Sequence, residues 1–498
     1  MKPANLLFFL SDNHARSALG CYGNPVVRTP VFDSLAARGT RFANAYTASP
    51  LCCPARASIA TGRFPFQTGY WDNAIVYDGR VPSWMHRLRD AGADVVSVGK
   101  LHFRSSEDDN GFTQELAPMH ILNAKGGVST LLRWSDEEPV NRGQWELYLE
   151  QSGAGTSHYQ DYDFEISRLA IDWLQQHARK RDHPWALFVS YVSPHPPFTV
   201  PQELLDLYPF DHMPLPPLFR EDERPQHPSL LHLRRIMGFK AMDDEAALRR
   251  ITACYYALVT HLDRQIGAVL RAASDLGLLE DTRIIYTSDH GEALGAHGLF
   301  GKSNLLEPGA GVPLLLCGPG IPCGRVEPVP VSHVDLYPTI VEGAGLAPVV
   351  AEADLLGHSL LRMQSRTSPV FAEYHAAGSR HGASMLRAGP YKLIHHVDAP
   401  SQLFDLQGDP TESTDLATDP ACAARLQAME QQLLAICDPV KVDQRARADQ
   451  RAKSEHWGGN DAIRKEGLVV YTPPPGVRAA VEPSRHVAAK DPNPRRPP

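Results

Sequence analysis

A short stretch around residue 52 combines side chains that could do chemistry. Two adjacent thiols, Cys52 and Cys53, precede Pro54 and Arg56 at the start of a helix-like segment that ends at 62–63. The positive end of a helix and the Arg56 cation both favour an anion or a thiolate at Cys52. A buried cysteine pair and half of a metal clip are the alternatives. A zinc site is disfavoured, because the thiols lack the usual gap of about two to four residues and no Cys-x-x-Cys occurs.

Polar side chains follow four predicted strands. The apolar runs 6–10, 94–98, 185–192 and 283–287 are typical of strands buried on both faces of a parallel sheet. The polar residues that follow them are Asp12 and Asn13, Lys100 and His102, His195, and Asp289 and His290. Each one alone also has a structural interpretation, as a helix cap, a loop lysine or a turn residue. Because ligands of open α/β sheets bind beyond the carboxyl ends of the strands, we expect these side chains to meet. With Cys52 and Arg56 they suit a divalent metal that holds a tetrahedral oxyanion.

Helical patterns separate these strands. Pro30 opens a helix that Gly39 ends, 164–181 carries an amphipathic stripe, and 244–277 carries a longer helical pattern. A further strand is predicted at 312–316 and a further helix at 335–342, whereas 105–143 and 201–228 are predicted to be loops. The alternation predicts an α/β fold with a large, mixed, mostly parallel central sheet flanked by helices, in a main domain of residues 1–368.

The pattern changes after Pro369. Short strands are predicted at 385–387, 391–397 and 402–406, and a helix at about 421–437. We therefore expect a small C-terminal α+β subdomain over 369–438 with a four-stranded or similar antiparallel sheet. Residues 439–498 are charged and then Pro-rich, which predicts a tail that is extended, docked on a neighbouring chain or partly disordered.

The composition of the 498 residues is that of a globular protein with a large core, since 43% are hydrophobic and 21% are charged. The net charge of -8 gives no reason to expect nucleic acid or an anionic membrane as a partner. The eight cysteines show no disulfide-like spacing, which fits a reducing compartment. The first apolar run is too short for a signal peptide and no stretch is long enough to span a membrane. We therefore expect a cytoplasmic protein.

The stretch around Cys52 is one of several motifs that point to the same family. It reads Cys52-Cys53-Pro54-Ala55-Arg56, followed by Thr61-Gly62-Arg63. The other motifs lie at 20–24, 98–102, 287–292, 298–302, 391–394 and 403–406. Together they resemble the type I sulfatases of the alkaline-phosphatase-like superfamily, over roughly residues 4–420. Residues 373–375 and the long tail are most similar to the choline-sulfatase and phosphonate monoester hydrolase branch. The resemblance implies that residues 1–368 are a sulfatase catalytic domain.

The resemblance implies that Cys52, and not Cys53, is oxidised to Cα-formylglycine by a maturation enzyme. The hydrated aldehyde is a geminal diol, one oxygen of which would attack the sulfur of a small-molecule sulfate ester. The second hydroxyl would then expel sulfate and re-form the aldehyde, which a plain serine or cysteine could not do. The implied reaction cleaves the S–O bond and releases sulfate with an alcohol or a phenol.

The resemblance also implies a role for each strand-end residue. One divalent metal would be held by Asp12, Asn13, Asp289, His290 and the modified Cys52. Ca²⁺ is the usual ion of the family, but Asn13 replaces a second Asp and the imidazole also suits Mn²⁺ or zinc. The implied roles of the other residues are as follows: Arg56 and Lys100 orient the diol, His102 assists its proton transfer, and His195 and Lys302 bind the sulfate and stabilise or protonate the leaving alkoxide. Asn73 is a further predicted sulfate contact.

Two other functions compete with sulfate ester hydrolysis. A phosphonate monoester or phosphodiester hydrolase would use the same site, because its substrates are also tetrahedral monoanions. Lys100 and His102 favour the sulfatase, since the phosphonate branch carries hydroxyl side chains there. An inactive sulfatase-like binding protein would require that Cys52 stays unconverted. Two residues depart from the family pattern, Ala55 where Ser is common and Gly311 where Arg is common, and the tail also predicts a homo-oligomer.

Overall fold

The computed structural model describes residues 3–133, 144–178, 183–239, 244–365, 368–466, 468–469, 471–478 and 481–482. Its strands are β1 (Asn5–Ser11), β2 (Gly39–Phe42), β3 (Ala45–Tyr46), β4 (Asp94–Lys100), β5 (Gln114–Met119), β6 (Gly153–Ala154), β7 (Trp185–Ser190), β8 (Thr199–Val200), β9 (Thr282–Ser288), β10 (Gly311–Val312), β11 (Leu314–Cys317), β12 (Arg325–Glu327), β13 (Val331–Ser332), β14 (Val370–Tyr374), β15 (Ala383–Ala388), β16 (Tyr391–His396), β17 (Ala399–Asp405), β18 (Leu468–Val469) and β19 (Val481–Glu482).

The α-helices of the same residues are α1 (Pro30–Arg38), α2 (Cys52–Thr61), α3 (Pro65–Thr68), α4 (Trp84–Asp90), α5 (Gln144–Glu150), α6 (His158–Gln176), α7 (Gln202–Leu205), α8 (Pro228–Met237), α9 (Glu245–Asp275), α10 (Glu307–Ala310), α11 (Leu336–Gly343), α12 (Ala423–Ile436), α13 (Pro439–His456) and α14 (Gly459–Glu466). Within the described ranges, none of these helices has both the length and the apolar character needed to cross a bilayer.

The centre of the molecule is an eight-stranded sheet in the order β12-β2-β11-β9-β1-β7-β4-β5. The five strands from β9 to β5 run parallel, whereas β11 is antiparallel to both of its neighbours. This arrangement confirms the predicted mixed, mostly parallel sheet. Sheets of this kind are buried on both faces, which explains the continuous apolar runs of the sequence.

Alternate residues of β1 contact the two helical layers that cover this sheet. Leu7 and Phe9 belong to a core that includes residues of α1, α6 and α9. Leu6, Phe8 and Leu10 belong to a second core that includes residues of α2, α4 and α11. Because successive side chains of a strand point to opposite faces, one strand holds both layers in place.

The strands that precede the candidate residues end at one level of the sheet. Leu10 of β1 is paired with Ser190 of β7, and Ser11 is paired with Ser288 of β9. Gly99 of β4 is paired with the same Ser190. The register therefore delivers the residues that follow these strands to one edge, as the sequence predicts.

Local structure differs from the sequence prediction in four places. The predicted loop at 201–228 contains the short helix α7. The single strand predicted at 312–316 is split into β10 and β11, because Pro313 has no N–H to donate to a ladder. The predicted loop at 105–143 contains β5, an edge strand whose half-exposed side chains hide its pattern. The helix predicted at 164–181 begins earlier, where Ser157 accepts a hydrogen bond from the Gln160 N–H. Residues 134–143 and 179–182 lie outside the described residues.

The four-stranded antiparallel sheet predicted near the C-terminus is present, in the order β14-β15-β16-β17. Helix α12 covers it through Met429 and Leu433, which contact Leu386 and Leu393 of the sheet. Lys392 of β16 joins this sheet to the main domain, since its Nζ lies 3.0 Å from Glu307 Oε1 and 2.8 Å from Glu412 Oε1.

The first part of the C-terminal tail is helical, so the prediction of extended chain is wrong for 439–466. Helix α13 packs on the main domain of the same chain. Arg133 Nη1 donates to Asp443 Oδ1 over 2.5 Å, and Gln450 Nε2 donates to Asp72 Oδ2 over 2.9 Å. These buried contacts stabilise a helix whose own sequence is mostly polar. The polar composition alone therefore did not predict a helix here. Residues 483–498 lie outside the described residues.

Candidate active site

Cys52 is the first residue of α2, and all ten residues of this helix are buried. Leu51 precedes it with an extended backbone, so the cysteine lies at the point where the chain turns into the helix. At the other end Gly62 adopts a φ of +66°, and a Cβ there would lie 2.6 Å from Tyr337 Cβ. Only glycine allows both the positive φ and the close approach to Tyr337, so the C-terminal end of α2 is set by Gly62.

The predicted strand-end residues meet around Asp12. Lys100 Nζ lies 2.6 Å from Asp12 Oδ2. Lys302 Nζ and His195 Nε2 lie 3.9 Å and 4.0 Å from Asp12 Oδ1. Asp12 is fully buried and Lys100 is 1% exposed, so these charges interact in an environment of low polarity.

Arg56 links the two aspartates of the site. Its Nε donates to Asp289 Oδ2 over 2.8 Å, and its Nη2 donates to Asp12 Oδ2 over 3.2 Å. Its Nη1 donates to the carbonyl of Lys100 and to Ser190 Oγ, over 2.7 and 2.9 Å. A guanidinium carries enough donors to make all four bonds at once, which a lysine could not do.

Four side chains offer ligand atoms for a metal ion within 4.8 Å of one another, namely Asp12, Cys52, Asp289 and His290, and all four are buried. The Nδ1 of His290 lies 3.0 Å from the carbonyl oxygen of Gly291 and donates its proton there. Its Nε2 therefore carries the lone pair, and it faces Cys52 Sγ at 3.2 Å. This donor set of carboxylates and imidazole fits a divalent cation.

The electrostatics of the cluster also fit a cation. Burial would raise the pKa of Asp12, but Lys100, His195, Lys302 and Arg56 hold it well below its usual value. Burial and then the charge of Asp12 raise the pKa of Asp289 to about 6. Ionisation of Asp289 beside the ionised Asp12 is thus unfavourable in the protein alone. A cation bound between the two carboxylates would remove this electrostatic penalty.

Lys302 reaches the site from the loop after β9. Its Nζ donates to Cys52 Sγ over 3.0 Å. Burial would lower the pKa of Lys302, but Cys52, Asp12 and Asp289 raise it above its usual value. The ammonium therefore remains charged beside residue 52, where an anionic group would bind.

His102 and Asn73 differ in how the structure places them. His102 is 6% exposed, has a φ of +54°, and neither ring nitrogen has a hydrogen-bond partner among the described residues. Asn73 Oδ1 instead accepts a hydrogen bond from the Cys53 N–H over 3.1 Å. The Asn73 side chain thus holds the start of α2, and a sulfate contact from this residue stays a prediction.

Other residues of the site are missed by reasoning from the sequence. Tyr159 and Tyr471 flank His195, with ring centroids 6.1 and 5.7 Å from its own. The Tyr471 hydroxyl donates to Gln151 Oε1 over 2.7 Å, which fixes the C-terminal segment beside the site. No sequence signal relates Tyr471 to His195. Glu292, which contacts Asn13, could have been found, because it lies in the same motif as Asp289.

Comparison with known proteins agrees with this geometry. The sulfatase family model matches residues 4–346, and the model "N-sulphoglucosamine sulphohydrolase, C-terminal" matches residues 295–438. The chain is 35% identical to choline-sulfatase of Rhizobium meliloti over 410 residues, which are 79% of this chain and 78% of that protein. It is 29% identical to arylsulfatase K of Danio rerio over 441 residues, which are 83% of this chain and 80% of that protein.

A solved structure shares the fold. The phosphonate monoester hydrolase of Agrobacterium radiobacter superposes with a TM-score of 0.70 at 22% identity, over 87% of this chain and 95% of that one. At this identity the similarity shows the fold, while the family follows from the sequence matches over most of the chain. The chain therefore belongs to the sulfatase family, whose members hydrolyse sulfuric esters.

Proposed function

We propose that this protein hydrolyses a small-molecule sulfate ester with a formylglycine made from Cys52 and one divalent metal ion. The observation that carries the proposal is the position of Cys52 Sγ, 3.2 Å from His290 Nε2 and 3.0 Å from Lys302 Nζ. The thiol sulfur marks the place that an oxygen of the modified residue would take. A nucleophile at this point lies between the metal ligands and a cation that can hold an anionic substrate.

The proposed ligands of the ion are Asp12, Asn13, Asp289, His290 and the modified residue 52. Ca²⁺ is the first candidate, and Mn²⁺ is the alternative because one ligand is an imidazole. The ion would supply Lewis-acid polarisation and neutralise negative charge at residue 52. The compact, buried set of donor atoms supports this proposal.

The other proposed roles follow from the contacts. Formylglycine would supply a hydrate with two hydroxyls, one to attack sulfur and one to release sulfate afterwards. Arg56 and Lys100 fix the carboxylates around the nucleophile, and the unpartnered ring of His102 is available to take the proton of a hydroxyl. His195 and Lys302 would bind the sulfate and stabilise or protonate the leaving alkoxide as the S–O bond breaks.

The same proposal includes the partners of the protein. A formylglycine-generating enzyme would be needed to oxidise Cys52, and the tail would support a homo-oligomer. We retain a cytoplasmic location, which is supported by the eight cysteines: all of them lie among the described residues and all are free thiols.

The competing function is hydrolysis of a phosphonate monoester or a phosphodiester in the same site. The shared fold with a phosphonate monoester hydrolase keeps it as the alternative. Lys100 and His102 favour the sulfatase, because both lie buried in the site as positively charged or proton-accepting groups rather than as hydroxyls.

Two measurements on the purified protein test the proposal. Mass spectrometry of the tryptic peptide that contains Cys52 should show the aldehyde in place of the thiol. Side-by-side assays should show faster turnover of an aryl sulfate than of a phenyl phosphonate ester. Active enzyme with an unmodified Cys52 would refute the nucleophile, and a strong preference for the phosphonate would refute the substrate class.

A further inference from the structure

Glu292 is a buried carboxylate next to the proposed metal ligands, and the mechanism above gives it no role. Its side chain is 1% exposed. One oxygen, Oε2, accepts a hydrogen bond from Asn13 Nδ2 over 2.6 Å. The other, Oε1, accepts from the backbone N–H groups of Leu294 and Gly301. Both carboxylate oxygens are thus engaged by donors, as a buried carboxylate requires.

The contact with Asn13 decides which way its amide points. An ionised carboxylate can only accept hydrogen bonds, so the amide must present its NH₂ group to Glu292 and its carbonyl oxygen elsewhere. The backbone N–H of Asn13 donates to Asp289 Oδ1 over 3.2 Å, which places Asn13 beside the proposed metal ligands. Asn13 Oδ1 accepts no hydrogen bond from any described residue and remains available to a cation.

The contact of Glu292 with Gly301 holds the backbone next to Lys302, a second residue of the proposed site. Gly301 directly precedes Lys302, whose Nζ lies 3.0 Å from Cys52 Sγ. The pairing of the Ala293 N–H with the Gly301 carbonyl over 2.9 Å closes the same loop. Glu292 therefore bonds both Asn13, a proposed metal ligand, and Gly301, the residue that precedes Lys302.

We propose that Glu292 is a positioning residue that selects the carbonyl oxygen of Asn13 as the atom facing the metal and holds the loop of Lys302 in place. The proposal rests on the metal-dependent function proposed above. It also explains the amide at position 13. An aspartate there would bring two carboxylates to about the 2.6 Å that now separates Asn13 Nδ2 from Glu292 Oε2.

The first test measures metal binding directly, without turnover. Calorimetric titration with Ca²⁺ and with Mn²⁺ should show about 10-fold or greater weakening in E292Q, because a glutamine no longer forces the Asn13 amide into one orientation. The matched control is E373Q. Glu373 is also a buried carboxylate that accepts a backbone N–H, from Phe66, but its other oxygen contacts His375 and not a proposed metal ligand. Metal affinity in E292Q equal to that of the wild type would overturn the proposal.

The second test exchanges the two groups and needs no metal. In the presence of EDTA, N13D should melt below the wild type because it brings two carboxylates together. The double variant N13D/E292Q should recover most of this loss, since the new amide at position 292 can donate its NH₂ to the new carboxylate at position 13. The carbonyl oxygen of that amide would still accept from the backbone. A double variant that melts no higher than N13D would overturn the proposal, and this comparison decides the matter if E292Q alone does not fold.

The two proposals fail in different ways. If wild-type protein binds neither ion and has no sulfatase activity, the proposed function is wrong. If the wild type binds metal and hydrolyses sulfate esters while E292Q binds metal equally well, only the role of Glu292 is wrong.

Discussion

Lys302 Nζ donates a hydrogen bond to Cys52 Sγ over 3.0 Å, although 250 residues separate the two in the chain. Cys52 begins a buried helix and Lys302 lies in the loop after β9. In the proposed mechanism the sulfate would bind at this contact, between the nucleophile at residue 52 and the ammonium of Lys302. It also makes residue 52 distinguishable from its neighbour, because Cys53 has no such partner among the described residues and packs instead against Val76 and Ile121.

Cys52→Ala should abolish sulfatase turnover, because it removes the proposed precursor of the nucleophile. Cys53→Ala should retain most of the activity, since this side chain only packs in an apolar cluster. Its expected cost is about 1–2 kcal/mol of folding stability for the small cavity. Initial rates with an aryl sulfate, normalised to the formylglycine content found by mass spectrometry, check both variants. Loss of activity in the Cys53 variant alone would show that the assignment is off by one residue.

Arg56→Lys should lower kcat/KM by about 100-fold or more, even though it keeps the positive charge. The guanidinium bonds Asp12, Asp289, Ser190 and the Lys100 carbonyl simultaneously, and a lysine ammonium cannot span them. Arg56→Ala should be less stable than the lysine variant, because two buried carboxylates lose their shared partner. Steady-state kinetics and melting temperatures test this order. Near wild-type kcat/KM in the lysine variant would contradict it.

Lys392→Met should destabilise the protein by about 3–5 kcal/mol, because it leaves Glu307 and Glu412 buried without their common cation. Arg16 also pairs with Glu307, and its guanidinium occupies the space beside Gly311, where a larger side chain would clash. Adding Glu412→Gln should restore part of the loss, since one of the two carboxylates is then neutral. Melting temperatures of the single and double variants measure this recovery. A double variant that melts below Lys392→Met would contradict the proposed ion-pair network.

The free energy of unfolding should fall as the pH is lowered below the ordinary pKa of a histidine, because His396 is buried as a neutral side chain. This imidazole lies 4.6 Å from the ring of His227. Burial, and then the charge of His227, lower its pKa from 6.5 to about 3. The folded state binds this proton less readily than the unfolded state does. The contribution of neutral His396 to the free energy of unfolding is therefore complete above pH 6.5. It is lost as the pH falls toward 3, by about 1.4 kcal/mol per pH unit at most.

The variants His396→Gln and His212→Gln test this dependence. His396→Gln should flatten the decline of the melting temperature between pH 7 and pH 5. His212 is exposed, and its replacement is the matched control that should leave the decline unchanged. Equal slopes in the wild type and in His396→Gln would show that other groups are responsible.

Removal of the residues after 438 should convert the predicted homo-oligomer to a monomer in light scattering. This truncation also removes α13 and its bonds to Arg133 and Asp72, so the melting temperature should fall as well. A second truncation after residue 478 keeps α13 and α14 and separates the two effects. An unchanged native mass in the first truncation would exclude oligomerisation through the tail.

The sequence by itself determined the parts of the site that depend on local patterns. Strands buried on both faces need continuous apolar runs, so the runs located the strands and the polar residues after them located Asp12, Lys100, His195 and Asp289. The end of α2 at Gly62 is likewise local, since the C-terminal end of a helix depends on a few neighbouring residues.

Only the tertiary structure decided the relationships between distant residues. Composition predicted a tail that is extended, docked on a neighbouring chain or partly disordered. Instead, α13 is a helix stabilised by Arg133 and Asp72, which lie more than 300 positions earlier. Tyr471 beside His195 and Lys302 beside Cys52 depend in the same way on how loops pack over the sheet edge. The orientation of the Asn13 amide depends on Glu292, because a hydrogen bond between two buried side chains forms only once folding has brought them within reach.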